Sequence, residues 1–246
     1  MKADPDAQRR LLDLQAIDTA LAQLAHKRRT LPELAELETL ARQLSGLEDE
    51  RIRAQVAVDD IDRDIARLER DIDQVRNRKD KDQARLDTGR GPARELEALQ
   101  HEMASLARRQ SELEDAELEL MEQRETAQAT LDDLLARQAT GKETREAAEA
   151  RRDQALADIA KEEEFRAGAR QPLVADLPAD LIALYDKIRE SSGGLGAALL
   201  KAGRCGGCRL ELCGTELARI KAAPADDVVR CDECRRIMVR TAESGL

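Results

Sequence analysis

Asp87-Thr88-Gly89-Arg90-Gly91-Pro92 is the one strong turn signal in a stretch of roughly 130 residues. Its two glycines accept positive φ, and Pro92 suits the first turn of a following helix. Before it, Leu37, Leu40, Leu44, Leu47, Arg51, Ala54, Val58, Ile61, Ile65, Leu68, Ile72 and Val75 step alternately by three and four residues. That 3.5-residue period is a coiled-coil seam and predicts a left-handed supercoil. After it, Leu96, Leu99, Met103, Leu106, Gln110, Leu113, Glu117 and Leu120 repeat the rhythm, with Ala127, Leu131 and Leu134 in phase. Beyond them the seam turns alanine-rich, through Ala148 and Ala155 to Ile159. Two seams joined by one turn predict an antiparallel coiled-coil hairpin.

Composition agrees. The 246 residues include one Tyr, one Phe and no Trp, and 37% are charged. So few aromatics cannot fill a wide globular core, whereas a narrow seam needs none. Disorder would share this charge content but not the regular spacing. Met1 to Gln15 carries too many polar residues for a signal peptide, and no run of about 18 apolar residues could span a membrane. The expected location is the cytoplasm, where closely spaced cysteines are metal ligands more often than disulfides.

An earlier amphipathic segment has Leu14, Ile17, Leu21 and Leu24, ending before Leu31-Pro32. Pro32 either kinks a continuous first arm or begins a helix after residues 9–29 have folded back as a third helix. Arms of residues 9–86 and 92–167 would match in length, each about 110 Å long, which favours the kinked arm. His26 and His101 have no His or Cys nearby and read as solvated. At the tip, Arg76, Arg78, Lys79, Lys81, Arg85, Arg90 and Arg94 outnumber Asp80, Asp82 and Asp87. These cations are candidate contacts for an acidic partner or a phosphate backbone, set against a merely solvated tip.

The hairpin is expected over residues 1–170, a short helix and linker over 171–194, and a small β module over 195–246. Pro172 to Pro178 should break the helix, Pro178 should open the short one, and Ser191-Ser192-Gly193-Gly194 should end it. Strands are expected at Ala197–Leu200, Arg209–Leu212, Asp227–Arg230 and Ile237–Val239, with a helical turn or two from Thr215 to Lys221. Within this module stand Cys205-Gly206-Gly207-Cys208 and Cys231-Asp232-Glu233-Cys234. Two residues between paired cysteines let a tight turn aim both sulfurs at one ion, and Zn²⁺ takes four thiolates tetrahedrally at about 2.3 Å. Cys205, Cys208, Cys231 and Cys234 are therefore the candidate ligands of one structural Zn²⁺, with an iron site or disulfides as the competing readings. Four ligands leave no position for a catalytic water, and so small a module needs the metal to fold. Cys213 is a fifth, unpaired thiol.

The chain resembles, over essentially its whole length, the bacterial coiled-coil hairpin proteins with a C-terminal C4-type zinc ribbon. Gln15-Ala16-Ile17-Asp18 with Leu31-Pro32 is similar to that family's opening arm. The run from Pro92 to Glu102 resembles its stretch after the tip, and the two cysteine pairs match its ribbon. Arg209 and Arg235 follow the second cysteines, whereas relatives often carry Gly after the last one. The resemblance implies a non-enzymatic adaptor. Members of the family are linked to the alternative sigma factor of nitrogen-type promoters, to flagellar or type III secretion components and, in one branch, to messenger RNA.

Two functions compete. The first is a scaffold that binds protein partners through the hairpin and ribbon. The second is nucleic-acid binding through ribbon cations: Lys201, Arg204, Arg209, Arg219, Lys221, Arg230, Arg235, Arg236 and Arg240. Net charge is −10, but residues 195–246 hold nine Lys/Arg and seven Asp/Glu, so the deficit lies in the helical part. The ribbon has no aromatic side chain to stack on bases. An enzyme fits least, for there is no glycine-rich phosphate loop, no nucleophile signature and no histidine near the cysteines. Neither a membrane nor a small-molecule substrate is indicated.

Overall fold

The computed structural model describes residues 1–246. Its helices are α1 (Pro5–Arg29), α2 (Pro32–Asp87), α3 (Ala93–Ala175), α4 (Ala179–Ser191) and α5 (Gly214–Ala222). Four short strands, β1 (Ala197–Lys201), β2 (Arg204–Cys205), β3 (Val229–Arg230) and β4 (Ile237–Val239), precede a closing 3₁₀ turn at Ala242–Ser244. The chain forms two compact units: Ala35–Glu149, and Met1–Leu34 together with Ala150–Leu246.

In the first unit α2 and α3 pack as an antiparallel hairpin. Gln138 Nε2 donates to Glu48 Oε2 at 2.7 Å, Arg124 Nε to Asp62 Oδ1 at 2.9 Å, and Arg78 to Glu102 at 2.8 Å. The partners' numbers fall on one arm as they rise on the other. Val58, Ile72, Leu113, Leu131 and Leu134 are buried, all of them seam positions read from the spacing. The turn is tight because Gly89 takes φ +60° and donates to the Leu86 carbonyl at 3.0 Å. An L side chain rarely adopts that conformation. Asp82, in phase with the seam, is buried against Arg78 at 3.0 Å.

In the second unit α1 starts cleanly because Asp4 caps it, accepting from the Asp6 amide at 2.7 Å, with Pro5 at the first position. The helix ends at Arg29, where Thr30 closes back on the His26 carbonyl and Pro32 opens α2. α1 runs antiparallel to the end of α3: Arg10 reaches Asp176, Asp18 reaches Arg170 and Arg28 reaches Glu163.

α3 departs from the sequence reading at its end, continuing through Pro172 to Ala175. Proline cannot donate to the residue four before it. Here it lies within the final turn, where the Asp176 amide still closes on the Pro172 carbonyl at 3.1 Å.

The sheet order is β2-β1-β4-β3, with β1 parallel to β4 and the other pairs antiparallel. Alternation divides its faces. Ala197, Ile237 and Val239 join Leu11 and Leu14 of α1 and Leu181, Tyr185 and Ile188 of α4 in one core. Leu200 and Met238 face the other way, onto Cys205, Cys231, Leu212 and Ile220. Gly196 is required at the junction, since a Cβ there would come within 2.7 Å of the Tyr185 carbonyl oxygen. The expected strand at Arg209–Leu212 reduces to one bridge, Arg204 with Glu211. Arg209 has φ +63°, a left-handed conformation that no strand continues through.

Residues 1–3 complete this unit. Ala3 donates to the Asp226 carbonyl at 2.8 Å and Val228 to that of Met1 at 3.0 Å, so Met1–Ala3 borders the sheet beside β3.

Candidate metal centre

Each cysteine pair closes the same local loop. In the first, the Arg209 amide donates to the Cys205 carbonyl at 2.7 Å and the Cys205 amide to that of Leu210 at 3.0 Å. In the second, Arg235 donates to Cys231 at 2.9 Å and Cys231 to Arg236 at 3.0 Å. Both loops need a left-handed residue after the second cysteine, and Arg209 (φ +63°) and Arg235 (φ +62°) supply it. The missing glycine therefore leaves the second loop's shape intact and costs about 1 kcal/mol of backbone strain at each arginine. Gly206 is packed under the Leu199 carbonyl, where a Cβ would approach to 2.7 Å.

The loops bring all four sulfurs within 4.8 Å of one another. Cys205 Sγ lies 3.8 Å from Cys234 Sγ, and Cys208 Sγ lies 3.9 Å from Cys231 Sγ. Four thiolates at about 2.3 Å from one ion form a tetrahedron with edges of about 3.8 Å, so the donor set fits a metal. Backbone amides support it, Gly207 and Cys208 pointing at the Cys205 sulfur, Glu233 and Cys234 at that of Cys231. Burial nevertheless pushes the Cys231 thiol up to about 12. Cys234 is also raised by burial, but the Arg236 amide and the neighbouring thiols hold it down at about 7. A cation between the sulfurs is what would let all four ligate as thiolates this close together, and the cluster is a metal-binding set of four cysteines.

Cys213 stands outside it. The thiol is exposed at the N-terminal end of α5, 3.1 Å from the Thr215 hydroxyl, which lowers its pKa.

The ribbon cations divide into two groups. Arg240 donates to the carbonyls of Ile220, Ala223, Pro224, Ala225 and Asp227, and thereby holds the loop after α5. Arg236 ties the second cysteine loop to the linker through the carbonyls of Leu195 (3.0 Å) and Ser192 (2.7 Å). Arg219 is paired with Asp232 at 2.8 Å, Arg204 with Glu211 at 3.4 Å and Lys201 with Glu243 at 2.9 Å. Arg230 donates to the Arg235 carbonyl. Only Arg209, Lys221 and Arg235 project into solvent without such a bond. At the tip, Arg76 and Arg78 are engaged by Asp73, Glu114, Asp82 and Glu102, and Lys79 by Gln110, whereas Lys81, Arg85, Arg90 and Arg94 are exposed and unpaired.

The structure adds residues that the spacing did not single out. Gln15 accepts from the amides of Gly196 (2.7 Å) and Ala197 (3.2 Å) and donates to the Gly194 carbonyl at 3.0 Å, pinning α1 to the start of β1. Asp18 is buried and accepts from Arg170 at 2.7 Å and from the Tyr185 hydroxyl at 2.8 Å. Arg189 Nε stands 3.6 Å away, within ion-pair reach only. Burial, and then this bond to Asp18, raise the Tyr185 pKa far above its ordinary value. The signal that could have exposed them is polarity on an otherwise apolar helix face, Gln8, Leu11, Leu14, Gln15 and Asp18 being buried together.

The sequence matches the model of the CT398-like coiled coil hairpin domain over residues 14–193 and that of the C4-type zinc ribbon domain over residues 204–238. An uncharacterized protein of Mycobacterium tuberculosis is 40% identical across 98% of each chain. A solved structure from Mycobacterium smegmatis, 38% identical, superposes with a TM-score of 0.87 and covers 98% of this chain and 100% of its own. CT398 from Chlamydia trachomatis, 18% identical, shares the fold with a TM-score of 0.67 across 95% of this chain and 97% of its own. The chain belongs to the CT398-like coiled-coil hairpin family and ends in its C4-type ribbon.

Proposed function

We propose that the chain is a non-enzymatic adaptor that binds protein partners through its surfaces, with one Zn²⁺ as a structural staple. The donor set carries this reading. Cys205, Cys208, Cys231 and Cys234 supply four ligands to one ion, which leaves no position for water or substrate. No histidine approaches them, since His26 and His101 both lie on exposed helix faces. Bound zinc would hold the two cysteine loops together and so keep the sheet in place. The full-length, metal-loaded chain, immobilised and challenged with lysate, should retain a reproducible set of proteins after nuclease treatment. Retention of none, or release of all of them by nuclease, would overturn the reading.

Nucleic-acid binding by the ribbon is the second reading, favoured by one observation: Arg209 and Arg235 extend from the cysteine loops with nothing on the chain to pair with. A filter-binding titration with generic RNA and DNA over a range of salt tests it. Arg209→Gln with Arg235→Gln should then weaken binding and flatten its salt dependence; unchanged binding rejects the site. Arg236 and Arg240 are unsuitable for this test, because their donors hold the fold.

A further inference from the structure

We infer that the hairpin tip is a docking point for a short Asp/Glu-rich segment of a partner protein. This rests on the adaptor reading and names the chemistry of one contact. Within the hairpin unit most arginines are neutralised on the spot. Arg51 pairs with Glu48, Arg63 with Asp60, Arg67 with Asp64 and Arg137 with Asp133, each three or four residues away, and Arg124 reaches across to Asp62. Other cations without an ion pair, such as Arg42 and Arg70, lie along the arms.

Only around the turn do four unpaired cations gather. Lys81 and Arg85 lie one helical step apart on the last turns of α2, Arg90 is in the turn, and Arg94 is in the first turn of α3. Two of the neighbouring acids are engaged elsewhere, and the exposed Asp80, Glu95 and Glu97 form no ion pair with the four cations. Asp82 is buried on Arg78 at 3.0 Å, and Asp87 accepts from Gln83 at 2.8 Å. Exposed charges left without a local partner gain most from one supplied by another molecule, because they have no ion pair to give up.

A protein segment fits better than a nucleic acid. Phe165 and Tyr185, the only Phe and Tyr of a chain without Trp, both lie outside this unit, so the tip lacks the Phe, Tyr or Trp platform on which single-stranded bases usually stack. A polyanion extending beyond the patch would also meet a helical region in which acids outnumber bases, 44 to 32 over residues 1–194. A short acidic segment can end where the patch ends.

The test is fluorescence anisotropy of a labelled peptide of alternating Asp and Glu, titrated with the full-length, metal-loaded protein at about 50 mM salt. Replacing Lys81, Arg85, Arg90 and Arg94 together with Gln should weaken binding about tenfold or more, and Arg85→Gln with Arg90→Gln should give an intermediate loss. Arg63→Gln with Arg67→Gln should leave binding within about twofold. Unchanged helical circular dichroism shows that each variant is folded. No binding by the parent protein, equal loss in the Arg63/Arg67 control, or no loss in either tip variant would overturn the assignment. So would tighter, tip-dependent binding of a single-stranded RNA of equal length. A quadruple variant that keeps every nuclease-resistant partner sinks the tip and spares the adaptor reading, whereas a chain that retains no partner sinks the adaptor reading itself.

Discussion

Val58, Ile72, Leu113, Leu131 and Leu134 are buried one or two at a time along the hairpin seam, between positions that stay half-buried. In the unit that carries the ribbon, Leu11, Leu14, Leu181, Tyr185, Ile237 and Val239 converge on a single cluster. The hairpin is thus stabilised by repetition, each layer contributing a little and none being decisive. The ribbon unit depends on a few specific contacts: a four-thiol cluster, a buried carboxylate and a glutamine that reads backbone. Buried charge makes the contrast sharper. Asp18 is shut in beneath Arg170, whose side chain is 27% exposed, whereas the partner of Asp82, Arg78, is 58% exposed and can be rehydrated.

Metal removal should break this comparison most visibly. Stripping the metal or making Cys231→Ser should abolish hydrogen-exchange protection across β1 to β4, an effect of order 10 kcal/mol if zinc drives folding as it does in small metal modules. Helical protection in residues 35–149 should persist. Ribbon amides that stay protected after chelation would show that the sheet stands without metal.

Asp18→Ala comes next, at about 3–5 kcal/mol, because it leaves the Tyr185 hydroxyl and the Arg170 guanidinium without their acceptor. Asp82→Ala should cost only about 1 kcal/mol, since Arg78 returns to water. Equal losses in urea denaturation would remove the distinction between the two regions. Among apolar truncations, Leu14→Ala in the full cluster should cost about 4 kcal/mol and Leu131→Ala in the seam about 2 kcal/mol.

pH offers a smaller and cleaner measure, for Tyr185 is the only tyrosine. Its folded pKa is raised, so the stability gained from burying the neutral phenol is complete below about pH 10 and is lost as pH rises beyond it. Absorbance at tyrosinate wavelengths should stay flat past pH 10 and rise only with unfolding. A normal titration in the folded chain would contradict the buried bond to Asp18. The least effect is expected from Arg235→Gly, a gain of up to about 1 kcal/mol from relieved left-handed strain, offset by the freer unfolded chain. It should appear as a slightly raised midpoint in thermal melts of the metal-loaded protein.

The seams, the turn at Gly89 and the two cysteine pairs were legible in the sequence because each is written in spacing between near neighbours. A period of 3.5 residues, a glycine at positive φ and two residues between thiols are local requirements, and they determine the hairpin and the metal cluster without knowledge of any distant residue. The course of α3 through Pro172 was not legible, since a proline in a final helical turn and one that ends the helix share the same letters. Gln15 and Asp18 meet partners 152 to 182 residues further on, and three of those five partners are backbone groups. Arg236 and Arg240 looked available for a ligand for the same reason: the carbonyls that occupy them leave no trace in side-chain identity. Only the tertiary structure decided which charges are spent on the fold and which remain for another molecule. The reason is that a guanidinium's partner is set by what folding brings within about 3 Å of it, not by its neighbours in the chain.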